Sequence, residues 1–528
     1  MPKSDVRSLR DREIARRAAA ARDIAATLAA LAPDTTYAGF LRQGAAGIMD
    51  RRAVFDGETA LSYAELFARV EAAAALLQRR GIAPGQAVAL LVDNSARYAI
   101  WFLAVLRLGA IAVPVNNKLV QREIAFILDN SAARLMVFDQ PYQALAAQVT
   151  AGRDIGRLLA HLPSPGPATQ AAPLAGALDS AAAVYYTSGT TGVPKGVVHT
   201  HRTLIAGCLQ APLAWGWSFD APVAMAVTPM FHIASHTLFF PILHLGGTLV
   251  IATFRADEVL RLLDSEGVTS FFGVPSILLI MAARARELRL TFPAVKVVQF
   301  GAAPMPMDKL GEVQALFPNA ALVHGMGQTE SCGTLVTLPG ELALLKIGSV
   351  GIAIPATEVA IFDDADREVP PNRVGELVGR SPSVMREYLG NPQASAETLK
   401  GGWLHTGDLG YRDEDGFVFL VDRKKDMIIR GGENVYSNEV EQVLAGHPAL
   451  SEVAVVGGPD PVMGEKVCAF VAVKPGIAVP DVEDIRRHCL AQLAPYKVPA
   501  DIRFLDALPR NATGKILKPD LRQILRQD

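Results

Sequence analysis

The chain has 528 residues, of which 50% are hydrophobic and 20% charged, with a formal net charge of -2. A chain this long exceeds one core and is expected to form two or three domains. The composition argues against disorder, and the near-neutral charge without a long basic run argues against a nucleic-acid partner. Four scattered cysteines, Cys208, Cys332, Cys468 and Cys489, lack C-x-x-C spacing, which disfavours a disulfide framework or zinc site and suits a reducing compartment.

The opening residues Met1 to Asp5 lead into mixed charge with no apolar core, unlike a secretory signal, so a cytoplasmic location is expected. Arg10 to Leu31 is rich in Ala and Arg and reads as a surface helix. Ala89 to Asp93 is a strand candidate, Ala96 to Leu108 a helix and Ala110 to Pro114 a second strand. The long apolar run from Tyr98 to Val115 is interrupted by Arg107, Gly109 and Pro114, so it predicts a buried helix and strand, with no integral membrane segment. Strand signals recur at Gly247–Ile251, Val268–Phe272 and Val295–Phe300. This alternation is the mark of an α/β architecture.

From Asp363 to Asp422 the pattern changes to short strands with tight turns, such as Asp413–Gly416 before Phe417–Val421. A charged stretch, Asp422 to Asp426, precedes a compact α+β pattern. That pattern comprises a helix at Ser437–Leu444, strands at Glu452–Val456 and Val467–Val473, and a helix at Val482–Leu493. A domain boundary is expected at Asp422 to Lys425, dividing the chain into 1–422 and 423–528.

The segment most telling of function is Tyr185-Tyr-Thr-Ser-Gly-Thr-Thr-Gly-Val-Pro-Lys-Gly196, after the small apolar run Ala181–Val184. It reads as a strand feeding a loop whose backbone approaches a ligand closely at Gly189 and Gly192, where N–H groups can form an anion-binding nest. Thr187, Ser188, Thr190 and Thr191 supply hydroxyls, and Lys195 adds a mobile positive charge. Together they predict a polyphosphate cradle. The loop is not a Walker A motif, because Lys195 lies between Pro194 and Gly196.

Tyr186 to Gly196 resembles the signature loop of the adenylate-forming superfamily, which includes acyl- and aryl-CoA synthetases, peptide-synthetase adenylation domains and beetle luciferases. Further motifs follow in that family's order over nearly the whole chain. Gly327-Gln-Thr-Glu330 resembles the motif whose Thr329 would contact phosphate and whose Glu330 would hold Mg²⁺, an ion that favours carboxylate and phosphate oxygens. Met326 stands where the family usually has an aromatic residue against adenine. Gly301, Ala302, Ala303 and Gly325 complete the implied nucleotide site. Gly375–Leu377 through Gly390–Pro392, and Gly402 to Asp408, match the next motifs, with Asp408 implied at the ribose. Asp422-Arg423 resembles the pair whose Arg423 assists there, and Lys425 the hinge of a mobile small domain. Pro509 to Lys515 matches the motif whose lysine enters the site for adenylation.

The resemblance therefore implies a large N-terminal α/β domain with doubly wound sheets and a small β-barrel-like subdomain, followed by a smaller mobile α+β domain. It implies a reaction in which a carboxylic acid, ATP and coenzyme A give acyl-CoA, AMP and pyrophosphate through an acyl-adenylate. Lys195, Thr329, Glu330 and Lys515 would be catalytic, and Gly431 and Gly432 would allow passage of the pantetheine arm. Thr228 to His236 matches the acyl-pocket segment, implicating His232, His236 and Ser276. His232 stands where amino-acid-activating members carry an Asp, which disfavours an amino-acid substrate, and the surrounding apolar residues suit an alkyl or aryl tail. Alternatives are an acyl-AMP ligase that loads a carrier protein and a non-catalytic nucleotide- or acyl-binding protein. A homodimer is left open.

Overall fold

The computed structural model describes residues 3–164, 177–187, 194–217, 219–302, 305, 309–343, 345–510 and 516–527. The chain divides into two compact units, one of residues 1–359 and 379–405, the other of residues 360–378 and 406–528.

Two mostly parallel sheets organise the first unit, because its strands are short, apolar and separated by helices, which imposes crossover connections. The nine-stranded sheet has a central parallel run of Ala321–Met326, Val297–Gly301, Ser270–Gly273, Val223–Ala226, Thr248–Ile251 and Arg52–Phe55. Antiparallel strands close both ends, Val336–Leu338 and Ile352–Ala353 on one side and Ala60–Ser62 on the other. The seven-stranded sheet runs Glu387–Tyr388, Lys195–Thr200, Ala181–Thr187, Ile111–Pro114, Ala87–Leu91, Leu135–Phe138 and Gly156–Leu159. The apolar run beginning at Tyr98 is the buried helix Ala96–Arg107 followed by the strand Ile111–Pro114. Among the described residues no helix is long and apolar enough to cross a membrane.

The N-terminal helix is longer than its Ala/Arg pattern suggests, spanning Lys3–Ala30, and it is more than a surface element. It buries Ile24 and Leu28 together with an ion pair between Arg17 and Glu13 at 2.7 Å. The Arg17 guanidinium also donates to the carbonyls of Ile352 and Ala353 and to Thr337 Oγ1, at 2.9, 2.7 and 3.0 Å. A cation whose donors meet edge-strand acceptors covers a sheet edge that would otherwise pair with another chain.

In the second unit, the strands expected of a barrel-like subdomain form a sheet ordered Glu358–Phe362, Gly375–Arg380, Leu404–Arg412 and Val418–Arg423. The α+β pattern beyond it holds five strands around the long pair Leu450–Asp460 and Gly464–Val473, packed against the helices Ser437–Ala445 and Val482–Leu490. The latter helix ends three residues before the expected Leu493. The Ala491 N–H closes its last turn on Arg487 O, and Pro495 lies just beyond. All four cysteine thiols are buried and unbridged.

Candidate functional site

The run Ala181–Thr187 is a longer strand than Ala181–Val184, and it turns back antiparallel through Lys195–Thr200. Val184, Val197 and Val198 are buried and β-branched, which favours the extended state. Gly196 permits the close pairing, since a Cβ there would come within 2.9 Å of Val184 and 3.1 Å of the Tyr186 ring. Cross-strand register puts Thr187 opposite Lys195, so both face the head of the hairpin. Ser188, Gly189, Thr190, Thr191 and Gly192 lie outside the described residues, as do Ala303 and Lys515.

Lys195 Nζ sits 4.8 Å from the centroid of the Tyr388 ring. The Tyr388 hydroxyl donates at 2.6 Å to Oε1 of Glu330, which is 8% exposed. Burial and the neighbouring carboxylate both raise the Tyr388 pKa, so the phenol stays protonated as a donor. A second link runs from His199, whose Nε2 lies 2.8 Å from the Thr329 carbonyl while Nδ1 faces Thr203 Oγ1 at 3.2 Å. Burial lowers the His199 pKa to about 4, which keeps the ring neutral with one N–H available for that carbonyl. Thr329 and Glu330 occupy a short 3-10 turn, and the Glu330 carbonyl accepts the Met385 N–H at 2.7 Å. Lys195 and the adjacent Thr329 and Glu330, far from it in sequence, are thus brought together through Tyr388 and His199. Neither of those two was among the expected site residues. Their signal was present, since Tyr388 lies inside the Gly375–Pro392 motif and His199 lies three residues past Gly196 in the strand Lys195–Thr200.

The glycines expected at the nucleotide are held by protein contacts. A Cβ on Gly301 would come within 2.3 Å of the Gly325 carbonyl, one on Gly325 within 2.3 Å of the Trp215 ring, and one on Gly327 within 2.5 Å of the Gly333 carbonyl. Gly301 and Gly325 are register partners at the C-terminal ends of adjacent parallel strands, the place where open α/β sheets take ligands. Ala302 follows with φ +64°, a left-handed backbone that is uncommon outside glycine, and Met326 ends its strand 9% exposed. Gln328 caps the 3-10 turn by exchanging hydrogen bonds with Ser331.

The acyl-segment residues part company. His236 is fully buried, bonded to the Tyr185 hydroxyl and ringed by Tyr37, Phe102 and Phe240. Burial holds its pKa far below the ordinary value. His232 is half-buried against Phe231, with its pKa lowered to about 4 by burial and by the charge of Lys118, whereas Ser276 is exposed in the first turn of Pro275–Leu288.

Within the second unit, Asp408 and Arg423 are register partners joined by a 2.6 Å ion pair. The Asp408 N–H donates to Thr406 Oγ1 at 3.1 Å, and Thr406 in turn donates to the Leu377 carbonyl at 2.7 Å, which fixes the backbone at the buried Asp408. Burial lowers the Lys425 pKa. Gly431 and Gly432, with φ +60° and +86°, are the two-residue turn between Ile428–Arg430 and Glu433–Val435. Positive φ at both central positions is what a tight hairpin of this kind demands.

These features define an α/β enzyme that places an ammonium, a buried carboxylate and hydroxyl donors at strand ends of two mostly parallel sheets. The chain belongs to the AMP-binding enzyme family, in the acyl- and aryl-CoA synthetase branch of the adenylate-forming enzymes, with the family profile matching residues 41–389 and the profile of its C-terminal domain residues 439–515. It is 37% identical over 484 residues to a long-chain-fatty-acid–CoA ligase of Mycobacterium tuberculosis, covering 88% of this chain and 93% of that one. It is 36% identical over 473 residues to a feruloyl-CoA synthase of Amycolatopsis, covering 89% and 95%. Among solved structures it resembles the o-succinylbenzoate CoA synthetase of Bacillus subtilis in complex with the acyl-adenylate OSB-AMP. That match has a TM-score of 0.83 and 30% identity over 92% of this chain and 97% of the other. The same synthetase in complex with ATP and magnesium ion matches with a TM-score of 0.81 and 29% identity, over 92% and 99%.

Proposed function

We propose that this acid–thiol ligase activates an aliphatic or aryl carboxylic acid with ATP and transfers the acyl group to coenzyme A. The carboxylate oxygen attacks the α-phosphate and pyrophosphate leaves. The thiolate then attacks the acyl carbon and AMP leaves. Both partners of the first step are anions, so the site has to place positive charge and donors where negative charge accumulates.

The observation that carries this reading is the Lys195–Tyr388–Glu330 arrangement at the head of the signature hairpin. Lys195 and Thr187 hold the β- and γ-phosphates together with the loop 188–192. Thr329 contacts phosphate, and Lys515 approaches the α-phosphate and the carboxylate. Gly301 to Ala303 and Gly325 to Gln328 form the adenine side, while Asp408, beside Arg423, accepts the ribose hydroxyls. Glu330 suits a magnesium site, because Tyr388 engages one carboxylate oxygen and Mg²⁺ takes one or two carboxylates plus substrate phosphates. When bound, the ion neutralises charge on the phosphate oxygens. His232, His236 and Ser276 belong to the acyl side, where buried, neutral His236 supports the pocket wall through Tyr185. For the second step, residues 423–528 turn about Lys425 relative to residues 1–422, withdrawing Lys515 and presenting Gly431 and Gly432 to the pantetheine arm.

Pyrophosphate release and thioester formation, measured over a panel of fatty and aryl acids with and without CoA, test the reading. Acid-dependent release with stoichiometric thioester is expected, and Lys515→Ala should lose release by about 10²–10³-fold. Release without thioester in the presence of CoA would assign the acceptor to a carrier protein. Absence of release with every acid would leave a nucleotide- or acyl-binding protein.

A further inference from the structure

The helix Ser437–Ala445 begins without a local cap, since Tyr436 makes no side-chain cap hydrogen bond. A free helix N-terminus leaves N–H groups in need of acceptors. Here the acceptor comes from Asp422, on the far side of Lys425 in sequence. One Asp422 carboxylate oxygen accepts the Ser437 N–H, and the other accepts the Ser437 hydroxyl at 3.1 Å. The Asn438 amide reaches back in the same way to the Val421 carbonyl at 3.4 Å. Lys518 locks the arrangement from behind, donating to Ser437 Oγ at 2.7 Å and pairing with Glu441 at 2.8 Å. Ser437 is fully buried, so water does not substitute easily for these partners.

The bonds to Asp422 and Val421 join residues on opposite sides of Lys425. Rotation of the backbone at Lys425 carries Ser437 away from Asp422 and uncaps the helix. Arg522 behaves differently. It donates to the Lys425 carbonyl at 3.3 Å and pairs with Asp426 at 2.9 Å, so it fastens the downstream edge of the pivot to the C-terminal helix Lys518–Gln527 and moves with it.

We propose that Asp422 and Ser437, backed by Lys518, are positioning residues that latch the Lys425 pivot in one of its two states and so set the balance between the two half-reactions. This rests on the proposed rotation about Lys425. The latch acts on the equilibrium between states and touches neither substrate nor nucleotide. A population bias of this kind moves the two half-reactions in opposite directions, because each uses one state.

The test measures the half-reactions separately in single turnover on the full chain, as adenylate formation from acid and ATP and as thioester formation from preformed acyl-adenylate and CoA. In both Asp422→Ala and Ser437→Ala one half-reaction should rise and the other fall. For Asp422→Ala the ratio should shift by about two- to thirty-fold, the range set by loss of a helix cap, and for Ser437→Ala, which keeps the Ser437 N–H bond to Asp422, by less. The double variant should shift it no further than Asp422→Ala alone, because Ser437→Ala removes only the hydroxyl bond to Asp422, which Asp422→Ala removes together with the N–H bond. Asp422→Asn, which keeps one acceptor oxygen, should fall between wild type and Asp422→Ala and serves as the second variant where the alanine protein folds poorly. An unchanged ratio, or an equal fall of both half-reactions with normal thermal stability, overturns the latch. Lys425→Pro separates the two ideas. If it slows thioester formation selectively while Asp422→Ala leaves the ratio unchanged, the latch alone fails; if it slows both half-reactions equally, the pivot itself fails.

Discussion

Replacing Tyr388 with phenylalanine removes one oxygen atom from the centre of the site and leaves the rest of the residue in place. The ring keeps its packing against Val197, Met385 and Ala394 and its position under Lys195 Nζ. What disappears is a 2.6 Å hydrogen bond to the carboxylate of Glu330, which is only 8% exposed. Hydrogen bonds to charged groups contribute about 1.5–3 kcal/mol, and a buried carboxylate left with one donor fewer bears most of that loss. Urea unfolding should therefore show Tyr388→Phe destabilised by up to about 3 kcal/mol. Because the same carboxylate is the proposed magnesium ligand, kcat/KM for MgATP should fall by about 10- to 150-fold, the kinetic equivalent of that energy. Pyrophosphate exchange at saturating acid reads it directly. Tyr388→Leu, which also removes the ring from Lys195, should be worse in both assays. Wild-type values of both the urea midpoint and kcat/KM in Tyr388→Phe would refute the view that this hydroxyl organises Glu330.

Two other predictions concern stability. Arg17→Ala removes a guanidinium from a site where the pair's side chains are 6% and 10% exposed and leaves Glu13 paired with Arg16 alone, 2.7 Å away, so the loss should be about 1.5–3 kcal/mol, the contribution of hydrogen bonds to a charged group. A guanidinium-unfolding difference below about 1 kcal/mol would show that the helix Lys3–Ala30 does not need this anchor. His199 and His201 each have a folded pKa lowered by burial to about 4, below the unfolded value of 6.5. The fold excludes their protonated forms, so their contribution is fully present above pH 6.5 and drains away as pH falls from 6.5 towards 4, each at about 1.4 kcal/mol per pH unit. His199→Gln keeps a donor for the Thr329 carbonyl and should make the acid limb of the stability–pH curve shallower by about that amount. An unchanged slope would mean that His199 is protonated in the folded protein.

How far the sequence reached can be judged residue by residue. The α/β class was legible because local hydrophobic runs, glycines and prolines decide where strands and helices start and stop, as at Ala96–Arg107 and Ile111–Pro114. The family was legible at Tyr185–Gly196 because its small and hydroxyl-bearing residues stand in the order of that family's signature loop. The glycines illustrate the limit. Gly301, Gly325 and Gly327 were assigned to the nucleotide site by resemblance, and each lies where a Cβ would strike Gly325, Trp215 or Gly333. Those collisions belong to neighbouring strands, and no local pattern reports them.

Sequence alone determined the alternation of elements and the family to which the chain belongs, since each depends on residue types in local order. Tertiary structure decided which groups meet. Tyr388 reaches Glu330 across 58 residues, Arg17 reaches the carbonyl of Ala353 across 336, and Asp422 caps a helix that starts 15 residues later. Such pairings follow from sheet order and strand register, which are set by how whole layers bury their apolar faces.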